Sequence, residues 1–175
     1  MTCFAGVSVH QGEATIEAFD SLEGRPPDAV QVVKRTASCH KTLPTLPADI
    51  DLLYCLRHPY DVLTSAHPRT GHISPRRWLA EYDAVGALRA RQTHRDIVFS
   101  RYEDLVAAPD VTQDRFAKAF DLVASRLFSS NDIRAGSVEK WRTQPDLRAY
   151  LDTLPKKLMK RAHTFCEEFG YDPML

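Results

Sequence analysis

Apolar residues follow two rhythms along this chain. Four short runs rich in β-branched or apolar residues are TCFAGVS (2–8), VQVVK (30–34), DLLYCL (51–56) and DIVFSRY (96–102). Each is too short for a stable helix and too continuous for a half-exposed strand, so each reads as a buried strand. Between them the period lengthens. In RRWLAEYDAVGALRA (76–90), Trp78, Tyr82, Val85 and Arg89 recur at helical spacing, and the first three form an apolar stripe. In PDVTQDRFAKAFDLVASRL (109–127), Asp110 and Gln113 have the spacing of a capping box, with Phe116, Phe120, Val123 and Leu127 on one face. A last helix starts near Pro155, buries Leu158, Ala162, Phe165 and Phe169, and ends at Gly170. Its Lys156 and Lys157 meet the wrong end of the helix dipole, a small cost that packing must offset. GRPPD (24–28) reads as a turn, and the prolines of TLPTLPAD (42–49) make it a loop.

Strands alternating with helices imply parallel pairing through right-handed crossovers. The expectation is a three-layer α/β fold, a central mostly parallel sheet flanked by helices, over one domain spanning 1–175. Ligands of such sheets collect beyond the carboxyl ends of the strands. Arg57 lies at one such end, where DLLYCL runs into RHPYDVLTS. Pro59 suits the first turn of a following helix and places Ser65 in its second turn. A guanidinium, a hydroxyl and helix-terminal N–H groups make a receptor for a phosphate dianion. The competing reading is an Arg57–Asp61 ion pair across one helical turn.

Composition narrows the partners. Lys plus Arg equals Asp plus Glu at 23 each, so bulk charge predicts neither a nucleic-acid nor a membrane partner. Hydrophobic content of 43% and charged content of 26% suit an ordinary soluble protein. No apolar run approaches the ~20 residues of a membrane span. MTCFAGVSVHQGEA lacks the basic and apolar regions of a signal peptide. Cys3, Cys39, Cys55 and Cys166 have no metal-ligand spacing, and Cys55 and Cys166 sit in apolar patterns as small core residues. A cytoplasmic, reducing compartment and no metal are expected.

Three segments resemble the sulfotransferases that use 3′-phosphoadenosine 5′-phosphosulfate (PAPS). In that family an apolar strand precedes R-x-P-x-D-x-x-x-S, whose arginine and serine hold the 3′-phosphate; here the positions are Arg57, Pro59, Asp61 and Ser65. FSRYEDLVAAPD (99–110) is similar to the family's strand-end RYEDL stretch, which makes Tyr102 the counterpart of its adenine contact. RAGSVEKW (134–141) resembles the late loop that closes over the nucleotide, with Arg134, Ala135 and Gly136 at the 3′-phosphate and Trp141 as anchor. Read singly, YEDL is a strand-to-helix turn with Glu103 solvated, and the last segment a surface turn over a buried Trp. The tail, ending in GYDP, also resembles the family's closing helix.

The resemblance implies a P-loop-like sulfotransferase fold and transfer of a sulfuryl group from PAPS to a hydroxyl or amine, leaving 3′,5′-adenosine bisphosphate (PAP). The acceptor class is a small molecule or a carbohydrate. Three parts are then needed: a 5′-phosphosulfate cradle, a lysine near the bridging oxygen and a general base. VVKRTASCHK puts Lys34 at the lysine position and Thr36 where a histidine base is expected. His40, four residues later, is then either the base or a solvated loop histidine. FAGVSVHQGEATIEAF stands where a P-K-S-G-T-T type loop belongs. Gly6 and Gly12 match its glycines, but the lysine place falls at about His10, and Glu13 and Ala14 replace the two hydroxyls. Either the true loop precedes this chain, or the loop has changed. In the second case a descendant that has lost catalysis binds nucleotide or a protein partner. A P-loop kinase relative is disfavoured, because G-x-x-x-x-G-K-[ST] is missing near the first strand. Six arginines in 69–95 against Glu81 and Asp83 read as a solvated helix face or as a site for an acidic sugar.

Overall fold

The computed structural model describes residues 3–9, 29–34, 39–67, 71–91, 97–129, 133 and 135–173. The chain is mixed α/β. In order come β1 (Val7–Val9), β2 (Val30–Val32), α1 (Cys39–Thr42), β3 (Leu52–Leu56), α2 (Pro59–Leu63) and the short β4 (Ala66–His67) and β5 (Gly71–His72). Then follow α3 (Pro75–Arg91), β6 (Ile97–Arg101), α4 (Tyr102–Ala107), α5 (Pro109–Ala119), α6 (Lys140–Thr143), α7 (Pro145–Asp152) and α8 (Lys156–Phe169).

All four expected strands are found, and they pair parallel in two couples: β1 with β2, and β3 with β6. The described residues do not join these couples into one sheet. A third couple, β4 with β5, is antiparallel.

The alternation of a strand decides which side of β3–β6 is covered. Leu52, Tyr54 and Leu56, with Ile97 and Phe99 opposite them, face α3 and α8. The main core collects Leu56, Leu63, Trp78, Leu158 and Phe165 around Trp141 and Tyr60, both 0% exposed. Each such burial is worth roughly 1.5–3 kcal/mol. On the other face Leu53 and Cys55 are exposed, which corrects the expectation that Cys55 is a core residue; Cys166 on α8 is buried as expected.

Helix α8 follows its pattern. Pro155 stands at its N-cap, Leu158, Ala162, Phe165 and Cys166 are buried, Phe169 is only half-buried, and Gly170 closes it in the left-handed conformation with φ 69°.

Four expectations fail. β1 begins at Val7, because Cys3 to Ala5 pair instead with the 123–126 stretch: Ala5 N donates to the Val123 carbonyl at 2.8 Å and Ser125 N to that of Cys3 at 2.9 Å. β2 is not buried, since Val30 is 46% and Val32 39% exposed. α5 stops at Ala119, with Asp121 at φ 49°, so Val123 and Leu127 lie outside it and are exposed. Asp110 forms no cap, because Pro109 starts the helix and Ala108 is the N-cap; Gln113 is instead buried and bonds the Arg126 carbonyl (2.7 Å) and Phe128 N (2.8 Å).

Candidate functional site

Parallel pairing in step carries two motifs to the same place. Leu56 stands opposite Arg101, so the next residues, Arg57 and Tyr102, leave the sheet side by side, as do His58 and Glu103. The Arg57 guanidinium carbon lies 5.5 Å from the centre of the Tyr102 ring, within cation–π range. His58 N donates to Glu103 Oε1 at 2.9 Å. Glu103 is therefore half-buried and engaged, not solvated; its second oxygen accepts the Tyr171 hydroxyl at 3.1 Å.

The late loop meets this end of the sheet. A tight 3₁₀ turn over Ala135–Ser137 presents the Ser137 carbonyl to Arg57 Nη2. Asp61, on the buried side of α2, accepts Glu139 N on Oδ2 at 2.8 Å. Arg57 and Asp61 form no ion pair, and each instead holds the 137–139 segment across about 80 residues of sequence. Three atoms of this group are buried without a hydrogen-bond partner: Arg57 Nε, Asp61 Oδ1 and Trp141 Nε1. Gly136 is exposed, and a Cβ there would meet open space.

Ser65 lies just beyond α2, not in its second turn, because the helix ends at Leu63 with Thr64 as its C-cap. Its hydroxyl donates back to the Asp61 carbonyl at 2.5 Å, which keeps it beside the same carboxylate residue.

His58, absent from the expected set, is the hub beneath these groups. It caps α2, accepting Tyr60 N on Nδ1 at 3.2 Å, so Nε2 carries the proton and donates to the Asp172 carbonyl at 3.0 Å. Its ring packs within 5.3 Å of Tyr60, Trp141 and Tyr171. Burial pulls its pKa below the ordinary 6.5, although the Asp172 carbonyl, Asp61 and Glu103 act against this. Burial likewise raises the Asp61 carboxyl above 3.8, opposed by the Glu139 N–H and then by Arg57. For both groups burial penalises the charged form. The GYDP tail, readable only as a helix end in sequence, supplies Tyr171 and Asp172 to this hub.

Lys34 is exposed just past β2, where its ammonium acts electrostatically on the Cys55 thiol of β3, two residues before Arg57. His40 is not in an open loop: α1 packs on α3, and Glu81 of α3 accepts both His40 N (2.6 Å) and Nδ1 (3.0 Å). Glu81 was missed because its partner is 41 residues away. Gly12, His10, Glu13 and Arg134 lie outside the described residues, as does the side chain of Ala135. Of the six arginines in 69–95, Arg77 and Arg89 face the carboxylates of Glu81 and Glu168, and Arg76 is exposed. Among the described residues no cluster of His, Cys, Asp or Glu is placed to hold a metal, and no helix is long and apolar enough to cross a membrane.

No family model, curated protein or solved structure matches this chain.

Proposed function

We propose that the chain is a PAPS-dependent sulfotransferase of the P-loop-like, three-layer α/β class, and that the end of β3–β6 is its 3′-phosphate socket. One observation carries the reading. Arg57 leaves the sheet beside Tyr102, touches the 135–137 turn, and keeps a buried Nε without a partner. An orphaned N–H on a half-buried guanidinium is costly unless an anion completes it. The open space at Gly136 lets the turn approach such an anion. Asp61 and Glu103 are carboxylates beside this point, and burial penalises the charged form of Asp61.

In this reading Arg57, Ser65 and the turn at Ala135 and Gly136 hold the 3′-phosphate of PAPS, with Arg134 joining from the same loop. Tyr102 lies against the adenine. Gly12 belongs to the loop at the 5′-phosphosulfate, and Lys34 neutralises the bridging oxygen as it becomes a leaving group. The sulfuryl group passes in line from that phosphate oxygen to the acceptor's oxygen or nitrogen. The acceptor's proton goes to His40, and PAP departs. The balanced count of 23 basic and 23 acidic residues suits a small-molecule or carbohydrate acceptor.

The test is thermal unfolding with PAP. A rise in Tm at millimolar PAP is expected for the natural chain, and Arg57→Ala abolishes most of it. No shift with PAP, or an equal shift in Arg57→Ala, ends the reading.

The changed FAGVSVHQGEAT loop and Thr36 in place of a histidine base favour a second reading, in which the socket survives as a nucleotide-binding module without transfer. Labelled PAPS and a mixed acceptor panel separate the two. Binding with neither transfer nor slow donor hydrolysis selects the module.

A further inference from the structure

Outside the nucleotide socket, the most built polar arrangement is the grip of Glu81 on residue 40. The carboxylate comes from the middle of α3 and takes two N–H groups of one residue, the backbone N at 2.6 Å and the ring Nδ1 at 3.0 Å. Oε2 takes the backbone N–H and Oε1 the ring N–H, and Arg77, one turn earlier on the same helix, places its Nε 4.0 Å from Oε1. The imidazole side chain is about a quarter exposed and the carboxylate less so.

An ionised carboxylate can only accept hydrogen bonds, so a neutral His40 must carry its proton on Nδ1. That leaves the lone pair on Nε2, which bonds to no described residue. Free imidazole does not hold this tautomer by preference; a fixed acceptor at Nδ1 imposes it. When Nε2 gains a proton, the positive charge forms against the Glu81 carboxylate. This is the arrangement in which a carboxylate orients and supports an imidazole base.

Placement also fits. Cys39, next to His40, packs with Leu52 and Tyr54 of β3 around Leu43, Val85 and Leu88. Arg57 is three residues beyond Tyr54, about 10 Å along an extended strand. The histidine and the arginine are thus served by the same strand at different heights.

We propose that Glu81 is the positioning residue for His40 and that the pair is the proton acceptor of the reaction. Its substrate assignment rests on the sulfotransferase reading above. The acceptor hydroxyl or amine loses its proton to His40 Nε2 as its oxygen or nitrogen bonds to sulfur. The imidazolium then returns the proton to water.

Three measurements on the full chain test this. Two-bond ¹⁵N–¹H correlation at about pH 8 is expected to find His40 protonated on Nδ1, and Glu81→Ala to release it to the Nε2–H form. Carbethoxylation of His40 by diethyl pyrocarbonate, followed by mass spectrometry, reports the Nε2 lone pair and slows by roughly tenfold in Glu81→Ala. Transfer to the acceptor panel falls by about 10²–10⁴ in His40→Gln and less in Glu81→Gln, which keeps an acceptor for Nδ1–H. An Nε2–H tautomer in the natural chain overturns the proposal, as does a tautomer or a transfer rate that the substitutions leave unchanged. PAP-induced stabilisation, measured in the same variants, stays intact if only the dyad reading is wrong. Its absence from the natural chain overturns the sulfotransferase reading, while the tautomer still judges the dyad.

Discussion

Asp61 and His58 sit three positions apart, and burial pushes them in opposite directions on the pH scale. Asp61 is raised above 3.8, so the folded state holds its proton longer than the unfolded chain does. Its contribution to stability is complete below 3.8 and is lost as pH rises through the folded value. Asp61→Asn keeps an oxygen for the Glu139 N–H and removes the charge. The variant should therefore melt a few degrees above the natural chain at pH 7, and the gap should close as pH falls below 3.8. His58 works the other way. Its depressed folded pKa gives stability that is present above 6.5 and lost as pH falls toward the folded value. In the Asp61→Asn background, thermal melts between pH 4 and 8 should retain that acid limb. A flat profile there would contradict the burial of a neutral imidazole. If instead Asp61→Asn is less stable at pH 7, Asp61 is held as a charge by Arg57.

At the scale of elements, local signals were sufficient where both ends of an element are marked. Pro155 and Gly170 bracket α8, and one apolar stripe lies between them. Gly170 at φ 69° is a clear local requirement. A Cβ there would meet only Arg101 Nη1 at 3.6 Å, an ordinary contact, so the penalty of Gly170→Ala is conformational. We expect a loss of about 1 kcal/mol in urea unfolding, with Gly170→Asn losing less. A neutral Gly170→Ala would mean that the helix end rearranges. α5 behaved differently. Its apolar spacing continues to Leu127, but the helix stops at Ala119 because the following residues serve distant partners, the backbone of Cys3 and Ala5 and the side chain of Gln113. Nothing within a helical window announces those partners. The same holds for β2, whose valines have the right composition for burial but stand exposed.

At the scale of the molecule, the two parallel couples differ in support. β3–β6 carries α3 and α8 on one face, and its residues join both core clusters. β1–β2 exposes Val9, Val30 and Val32. Backbone opening costs least where few apolar groups are covered. Native-state amide exchange should therefore release Val7–Val9 well before Leu52–Leu56, by at least about tenfold in rate, and equal protection would show that the couples open as one unit. The candidate socket belongs to the better supported couple. Its late loop is anchored by Trp141, fully buried against the His58 and Tyr60 rings.

Sequence alone determined what spacing can encode: four strands, the long helices α3 and α8, the turn of RHPYDVLTS at Arg57, and the three segments RHPYDVLTS, RYEDL and RAGSVEKW as places of interest. These follow from contacts within a few residues, where backbone sterics and apolar periodicity act directly. The tertiary structure decided who meets whom. It set Arg57 beside Tyr102 through the register of β3 and β6, brought the Ser137 carbonyl from 80 positions away, and gave Glu103 to His58 and His40 to Glu81. Such meetings depend on how elements pack, because a partner's distance along the chain carries no information about its distance in space.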